Sequence, residues 1–298
     1  MPREIVGEWV RDKHARLQRY VHISGTGVRK QWLKHPSSAG ATYIELLSGP
    51  GKLRVRNEKA AIDGSPLVAW REAQKTDSAF TEVWVADKDE NLVSAAKTRL
   101  IRAGANVKSE VGFAIDTVDS IVRRLNPHAL HFAFLDPFSL GALPFVVIEK
   151  LARLKRMDIL IHFSTQDLTR NLRRYINDSD SPLDAFAPGW REKIDDFNRS
   201  EDHLRGIIFE HWREKIRGIG MDTAEAAELI VGPTRQPLYW LAFAARHPQA
   251  LKFWEKIRRI QPVTESLLTD RPARQSGPLG DWQSLNMTPL NLYTSNKS

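Results

Sequence analysis

The sequence contains no cysteine among its 298 residues. This absence excludes disulfides, thiolate zinc sites, a cysteine nucleophile and cysteine-ligated iron–sulfur clusters built from this chain. The histidines form no HExxH or similarly tight ligand pattern, and we therefore predict no metal site. No apolar run approaches the roughly 20 residues of a membrane-spanning helix, and the first residues lack the apolar block of a signal peptide. We therefore expect a cytoplasmic protein that does not enter a membrane.

Basic side chains outnumber acidic ones, with 44 Lys and Arg against 36 Asp and Glu, which gives a formal net charge of +8. A positive surface favours polyanionic partners, so RNA or DNA is a candidate partner. An ordinary soluble protein that happens to be basic fits the composition equally well.

From Ala41 onward, apolar strands alternate with amphipathic helices and are joined to them by short connections. Such alternation predicts a parallel sheet with helices on both faces. The near-continuous apolar character of HFAFL and ILIHF fits strands that are buried on both faces. The five predicted strands are ATYIELL, EVWVAD, ANVKSEV, ALHFAFLD and MDILIHF.

The pattern divides the chain into three regions. Residues 1–40 form a helical N-terminal segment, with a break expected at Gly25 and Gly27. Residues 41–262 form the α/β domain, with a helical insertion at about 164–222 and two later strands that are joined by a turn at 233–236. That hairpin places one antiparallel strand in the sheet. Residues 263–298 are polar and are expected to be a loosely attached extension.

The first strand leads into a glycine-rich loop, in the stretch YIELLSGPGKLRVRN. Ligands of open α/β sheets bind beyond the carboxyl ends of the strands, where the strand order reverses. The loop lacks the third glycine of GxGxxG, and no Walker loop occurs in the chain. It resembles the acidic-then-glycine loop of class I S-adenosylmethionine-dependent methyltransferases. That resemblance makes Glu45, Ser48, Gly49 and Gly51 candidate contacts of S-adenosylmethionine.

Two further strand ends supply candidate cofactor residues. Asp87 ends the second strand, where a carboxylate can accept hydrogen bonds from both ribose hydroxyls. Helix capping is the alternative, and we assign it to Asp89. Phe113 follows the third strand, where methyltransferases often carry an acidic residue that reads the adenine amine. Phe113 can pack against adenine but cannot accept that hydrogen bond.

The fourth strand ends in FLDPF, which places Asp136, Pro137 and Phe138 at the same side of the sheet. The stretch resembles the (D/N/S)PP(Y/F) motif of amino-group methyltransferases that act on adenine N6 or cytosine N4, although it has one proline. The resemblance implies that Asp136 accepts hydrogen bonds from an exocyclic amine while Phe138 stacks on the base. The alternative is a turn in which Asp136 caps the next helix and Phe138 enters the core.

An ordered set of motifs also resembles one family, the three-Cys-motif partner proteins. The set covers nearly the whole chain to about Ile260. It implies a methyltransferase-like fold and a partner that carries a three-cysteine motif, which binds a metal or a cluster. The motifs are KHARLQRY, YIELLSGPG, GSPL, FLDPF, DILIHFSTQDLTRN and LYWLAFAARHPQALKFW.

Two groups of basic side chains follow strands that end at the predicted site. We expect both groups to surround the pocket and to bind the phosphates of a nucleic acid, the alternative being an ordinary basic surface. The first group is Lys52, Arg54 and Arg56, and the second is Arg170, Arg173 and Arg174.

Together these patterns predict a Rossmann-like class I methyltransferase fold and support two hypotheses about function. The first is an enzyme that transfers a methyl group from S-adenosylmethionine to a nucleic-acid base or a related nucleotide. The second is a non-catalytic nucleic-acid-binding partner of a three-cysteine-motif protein. A metal-dependent hydrolase is disfavoured, because Glu45, Asp87 and Asp136 are expected to lie too far apart to share one ion.

Overall fold

The computed structural model describes residues 2–224, 228–231 and 237–258. The predicted C-terminal extension at 263–298, the domain end at 262 and the turn at 233–236 lie outside the described residues. Within those ranges no helix is both long and apolar enough to cross a membrane.

The regular elements alternate along the chain largely as the sequence predicts. The strands are β1 (Glu4–Val6), β2 (Ala41–Glu45), β3 (Lys52–Val55), β4 (Ala61–Asp63), β5 (Glu82–Asp87), β6 (Val107–Val111), β7 (Leu130–Leu135), β8 (Met157–Phe163), β9 (Asp222–Thr223), β10 (Glu228–Val231) and β11 (Pro237–Ala245). The helices are α1 (Val10–Ser24), α2 (Lys30–Lys34), α3 (Ser65–Lys75), α4 (Glu90–Arg102), α5 (Ala114–Arg124), α6 (Phe145–Leu151), α7 (Thr165–Asn177), α8 (Pro182–Phe186), α9 (Glu201–Gly218) and α10 (Pro248–Arg258).

Eight of the described strands form one twisted sheet in the order β10-β11-β8-β7-β2-β5-β6, with β9 paired to β11. The strands β6, β5, β2, β7 and β8 run parallel, in the order of a doubly wound nucleotide-binding sheet. The later strand β11 pairs antiparallel with both β8 and β10. This is the Rossmann-like, mostly parallel sheet that the sequence predicts, with one antiparallel strand near the C-terminal end.

The sheet separates two hydrophobic cores, which explains why its strands are apolar almost throughout. All five residues of β2 are buried. Ile44 packs into the core on one face, while Tyr43 packs into the core on the other. Burying each such side chain stabilises the fold by about 1.5–3 kcal/mol. This double burial holds the ends of the central strands in fixed positions.

The expected break at Gly25 and Gly27 is wrong. A π-helical turn, Gly25–Arg29, joins α1 to α2 without interruption. The buried Arg29 guanidinium donates to the carbonyl of Ser78 at 2.7 Å and to that of Val21 at 3.0 Å. A Cβ on Gly25 would lie only 2.6 Å from this guanidinium. Glycine is therefore needed here for close approach inside the helix.

A second, small sheet was not predicted, and it brings the N-terminus to the glycine-rich loop. Its order is β1-β3-β4, with β1 parallel and β4 antiparallel to β3. Val10, Leu53 and Val55 form the small core beneath it. The stretch after the glycine loop is thus a strand that supports a neighbouring N-terminal strand.

Candidate functional site

A cleft of about 510 Å³ lies at the carboxyl ends of the central strands. The strand order reverses between β2 and β7, which is where open α/β sheets bind ligands. The volume falls within the roughly 300–1,000 Å³ of ordinary small-molecule sites. Of the residues predicted for the cofactor and for catalysis, the cleft is lined by Ser48, Gly49, Asp87, Phe113, Asp136, Pro137 and Phe138.

The glycine-rich loop is fixed by bonds to the neighbouring strand β5. The Ser48 amide donates to the Ala86 carbonyl at 2.9 Å, and the Gly49 amide donates to Asp87 Oδ2 at 3.0 Å. Gly49 has φ +55°, and a Cβ there would lie 3.2 Å from Glu4 Oε2. An L-residue would be strained at this φ, so glycine keeps the floor of the cleft open.

Two predicted cofactor residues, Glu45 and Gly51, do not line the cleft. Glu45 is 1% exposed, and the Tyr43 hydroxyl donates to its Oε1 at 2.5 Å. Burial raises the pKa of Glu45 well above its usual value. A Cβ on Gly51 would instead meet the backbone of Ala96 in α4 at 3.4 Å. Both residues therefore support the loop from behind.

The two acidic residues at the end of β5 make different contacts, and the predicted capping role of Asp89 is confirmed. Asp89 caps α4, since its Oδ1 accepts the Asn91 amide at 2.8 Å. Asp87 is half-buried and accepts the Gly49 and Asp89 amides, one on each oxygen. Each carboxylate oxygen can accept about two hydrogen bonds, so Asp87 keeps acceptor capacity toward the cleft.

Asp136 lies between two side chains that the sequence analysis did not assign to the site. Lys13 Nζ, from α1, is 2.5 Å from Asp136 Oδ2, and His162 Nδ1, from β8, is 2.5 Å from Oδ1. Burial alone would raise the pKa of Asp136, but the Lys13 ammonium and the His162 hydrogen bond outweigh it and hold the pKa well below its usual range. Asp136 is therefore ionised at neutral pH. The next helix, α6, begins after Pro144, so Asp136 does not cap it.

His162 is a neutral partner of this carboxylate. Burial lowers its pKa, although the contact with Asp136 opposes the shift. Because an ionised carboxylate only accepts, Nδ1 carries the proton. Nε2 is buried and has no hydrogen-bond partner in the part of the chain that the structure describes. The neighbouring His14 is also neutral, since burial lowers its pKa to about 3.

Two aromatic rings stand exposed at the mouth of the cleft. Phe113 is 59% exposed and Phe138 is 71% exposed, which excludes the core position considered for Phe138. Lys88 Nζ lies 5.9 Å from the Phe113 ring centroid and 5.0 Å from that of Phe138. Exposed large apolar side chains beside a cleft are typical of a binding surface.

The six basic residues predicted to bind nucleic acid lie outside the set that lines the cleft. Lys52 pairs with Asp63 at 2.6 Å, and Arg173 contacts Glu201 at 3.4 Å. The Arg174 guanidinium lies 5.4 Å from the Tyr175 ring centroid. The other three, Arg54, Arg56 and Arg170, are exposed.

Several residues that line the cleft were not predicted from the sequence, and only some of them carry a sequence signal. His162 interrupts the apolar run ILIHF, and Lys13 begins the motif KHARLQRY. Both were visible in the sequence but were not placed at the site. Glu4 and Lys88 gave no signal at all. In the ranges described, no group of three or more His, Asp or Glu side chains is arranged to hold a metal ion.

No family model matches the chain, and no curated protein is significantly similar to it in sequence. Solved structures to which the chain is similar include an O-methyltransferase from Bacillus cereus in complex with SAH. It is 16% identical, with a TM-score of 0.45 and coverage of 78% of this chain and 80% of that one. A cofactor-bound protein from MTB, Rv0187, is 18% identical, with a TM-score of 0.42 and coverage of 83% and 84%.

A precorrin-6y C5,15-methyltransferase from Geobacter metallireducens GS-15 is 10% identical, with a TM-score of 0.36 and coverage of 76% and 86%. No residue role is transferred from any of these structures. The strand order of this chain is that of the predicted fold class, the Rossmann-like class I methyltransferase sheet. Membership of the three-Cys-motif partner family stays a prediction.

Proposed function

We propose that the protein binds S-adenosylmethionine in this cleft and transfers its methyl group to a nucleic-acid base or a related nucleotide. One observation carries the proposal. A single cleft joins the glycine loop and Asp87, on one side, to Asp136 and Phe138, on the other. A donor and an acceptor bound on these two sides would meet at the carboxyl end of β7.

The residues on the first side fit the cofactor. Gly49 has no Cβ and a positive φ, so a ligand can approach its backbone closely. Asp87 has free acceptor capacity for the ribose hydroxyls, and the Phe113 ring offers an apolar face for adenine. When bound, the cofactor supplies an electrophilic methyl group on its sulfonium.

The residues on the second side would orient the acceptor. Asp136 uses one bond on each oxygen for Lys13 and His162, and its side chain keeps 22% exposure. A carboxylate accepts about four hydrogen bonds in all, so Asp136 can still accept from an exocyclic amine. This contact would keep the nitrogen lone pair directed at the methyl group while Phe138 stacks on the base.

The low pKa of Asp136 limits its role to positioning. A carboxylate stabilised by Lys13 and His162 is a weak base, so it would not retain the proton that the amine loses on methylation. That proton would leave to water at the open mouth of the cleft. Lys88, which lies beside the exposed rings, would pair with a phosphate of a nucleotide substrate.

The proposal is tested by calorimetric titration with S-adenosylmethionine and by transfer of labelled methyl groups to RNA, DNA and free nucleotides. Asp136→Asn should bind the cofactor normally and lose methyl transfer by about 100-fold, because the acceptor is no longer held in line. Asp77→Asn changes an exposed carboxylate far from the cleft and should match the wild type.

Two results would count against the proposal. The absence of binding heat at millimolar S-adenosylmethionine would exclude the cofactor. A wild-type protein that binds RNA or DNA but never methylates it, with Asp136→Asn binding equally well, would favour the non-catalytic partner of a three-cysteine-motif protein.

A further inference from the structure

The strand β1 brings a carboxylate to the glycine-rich loop. Glu4 pairs with Leu53 in the parallel ladder of the small sheet and lines the cleft. Its Oε2 lies 3.2 Å from the position that a Cβ on Gly49 would take. Arg99 fixes this arrangement, because its guanidinium donates to the Pro50 carbonyl at 2.5 Å and to the Pro2 carbonyl at 2.9 Å.

Glu4 is the carboxylate of the cleft that lacks a partner. Asp87 holds the Gly49 amide, and Asp136 is paired with Lys13. Glu45, which the sequence analysis assigned to the cofactor, is sealed behind the loop against Tyr43. Glu4 forms no ion pair with any residue that the structure describes. It is therefore free to receive a cation that enters the cleft.

The surroundings of Glu4 also favour such a cation. The residue is exposed as a whole, yet the cleft wall partly desolvates its carboxylate. Desolvation and the negative charges of Asp136 and Asp87 raise the pKa of Glu4, while Lys13 opposes the shift. A bound cation would relieve this accumulation of negative charge.

We propose that Glu4 binds the α-ammonium group of the methionine moiety of S-adenosylmethionine. The inference rests on the proposed function, since it assigns one contact within the proposed cofactor site. In the proposed site Asp87 and Phe113 would hold the adenosine end, so the methionine end would lie along Gly49, next to the carboxylate of Glu4.

The test compares three probes by calorimetry. S-adenosylmethionine carries the ammonium and the sulfonium, S-adenosylhomocysteine carries the ammonium without the sulfonium, and 5′-methylthioadenosine lacks both. Glu4→Gln should weaken the binding of S-adenosylmethionine and S-adenosylhomocysteine by about tenfold, which is the lower end of the range for a hydrogen bond to a charged group. The affinity for 5′-methylthioadenosine should stay unchanged.

Glu8→Gln is the matched control, because it removes one exposed negative charge nearby from a residue that does not line the cleft. It should leave all three affinities unchanged. Glu4→Asp keeps the charge on a shorter side chain, so an intermediate loss of affinity for S-adenosylmethionine and S-adenosylhomocysteine is expected. Unfolding midpoints of the free variants verify that each is folded.

Each other outcome separates this inference from the proposed function. Binding of S-adenosylmethionine that Glu4→Gln leaves unchanged, or weakens equally with 5′-methylthioadenosine, overturns the role of Glu4 and leaves the cofactor site standing. A loss for S-adenosylmethionine alone, with S-adenosylhomocysteine unaffected, assigns Glu4 to the sulfonium and overturns the ammonium contact. If the wild type binds none of the probes, both proposals fail.

Discussion

Replacement of Lys13 by methionine should destabilise the protein, because it leaves Asp136 without its cation. Removing one partner of a fully buried ion pair costs about 3–5 kcal/mol. Here the side chains keep 10% and 22% exposure, and His162 still donates to Asp136. We therefore expect a smaller cost, about 2–3 kcal/mol in the free energy of unfolding, or a fall of roughly 4–8 °C in the unfolding midpoint.

The effect of Lys13→Met should depend on pH in a defined direction. The folded-state pKa of Asp136 lies below its usual value of 3.8. A depressed folded-state pKa contributes stability that is present above the unfolded-state pKa and is lost as the pH falls through the folded-state pKa. The difference in the free energy of unfolding between wild type and Lys13→Met should therefore be fully present at pH 7 and become smaller below about pH 4.

Urea unfolding followed by tryptophan fluorescence measures both effects, since the chain has nine tryptophans. Lys30→Met is the control, because Lys30 forms an exposed pair with Asp77 at 3.2 Å. That change should stay within about 0.5 kcal/mol. A Lys13→Met variant as stable as Lys30→Met would refute the reasoning. So would a Lys13→Met/Asp136→Asn double variant with no coupling energy between the two changes.

Three further changes test the stability of the fold. Gly49→Ala should lower the free energy of unfolding by about 1–2 kcal/mol, because the backbone of Gly49 has φ +55°. Gly206→Ala should raise it by about 0.4–1 kcal/mol, because a Cβ on Gly206, in α9, would meet nothing within 4 Å. Thermal unfolding of the two variants measures the contrast. Burial raises the pKa of Asp158 from its usual value of 3.8 to about 7. The stability that the protonated Asp158 contributes is therefore full below pH 3.8 and is lost as the pH rises through about 7. The side chain of Asp158→Asn can still accept a hydrogen bond from the Tyr20 hydroxyl, but it does not ionise. The free energy of unfolding of this variant, measured relative to wild type, should therefore be higher at pH 8 than at pH 5. The same difference from wild type at both pH values would contradict this prediction.

The parallel sheet was predictable because its signal is local and strong. The bounds of β8 and α9 agree with the stretches MDILIHF and EDHLRGIIFEHWREKIRG, since each apolar pattern is bounded by polar or turn residues. The loops after β2, β5 and β7 then followed from topology alone, because parallel strands end on one side. This is why Gly49, Asp87 and Asp136 were found to line the same cleft.

The rest of the site depends on contacts between distant parts of the chain. Lys13 and Asp136 are separated by 123 positions, and no rule about strand ends places a residue of an N-terminal helix beside a strand end. The small sheet was missed because β1 and β4 have three residues each, too few for periodicity to register. In β3 the alternation of Leu53 and Val55 was a signal, but the basic residues that alternate with them, Lys52, Arg54 and Arg56, suggested a basic surface.

The short strand β1 has a kinetic consequence. It has three residues and pairs with β3 along one side, so its hydrogen bonds can open without disrupting the large sheet. Since Glu4 belongs to the wall of the cleft, each such opening would expose a ligand bound there to solvent. The residence time of such a ligand would be set by fraying of β1 rather than by global unfolding, and amide hydrogen exchange at Val6, which faces β3, should slow when the cleft is filled.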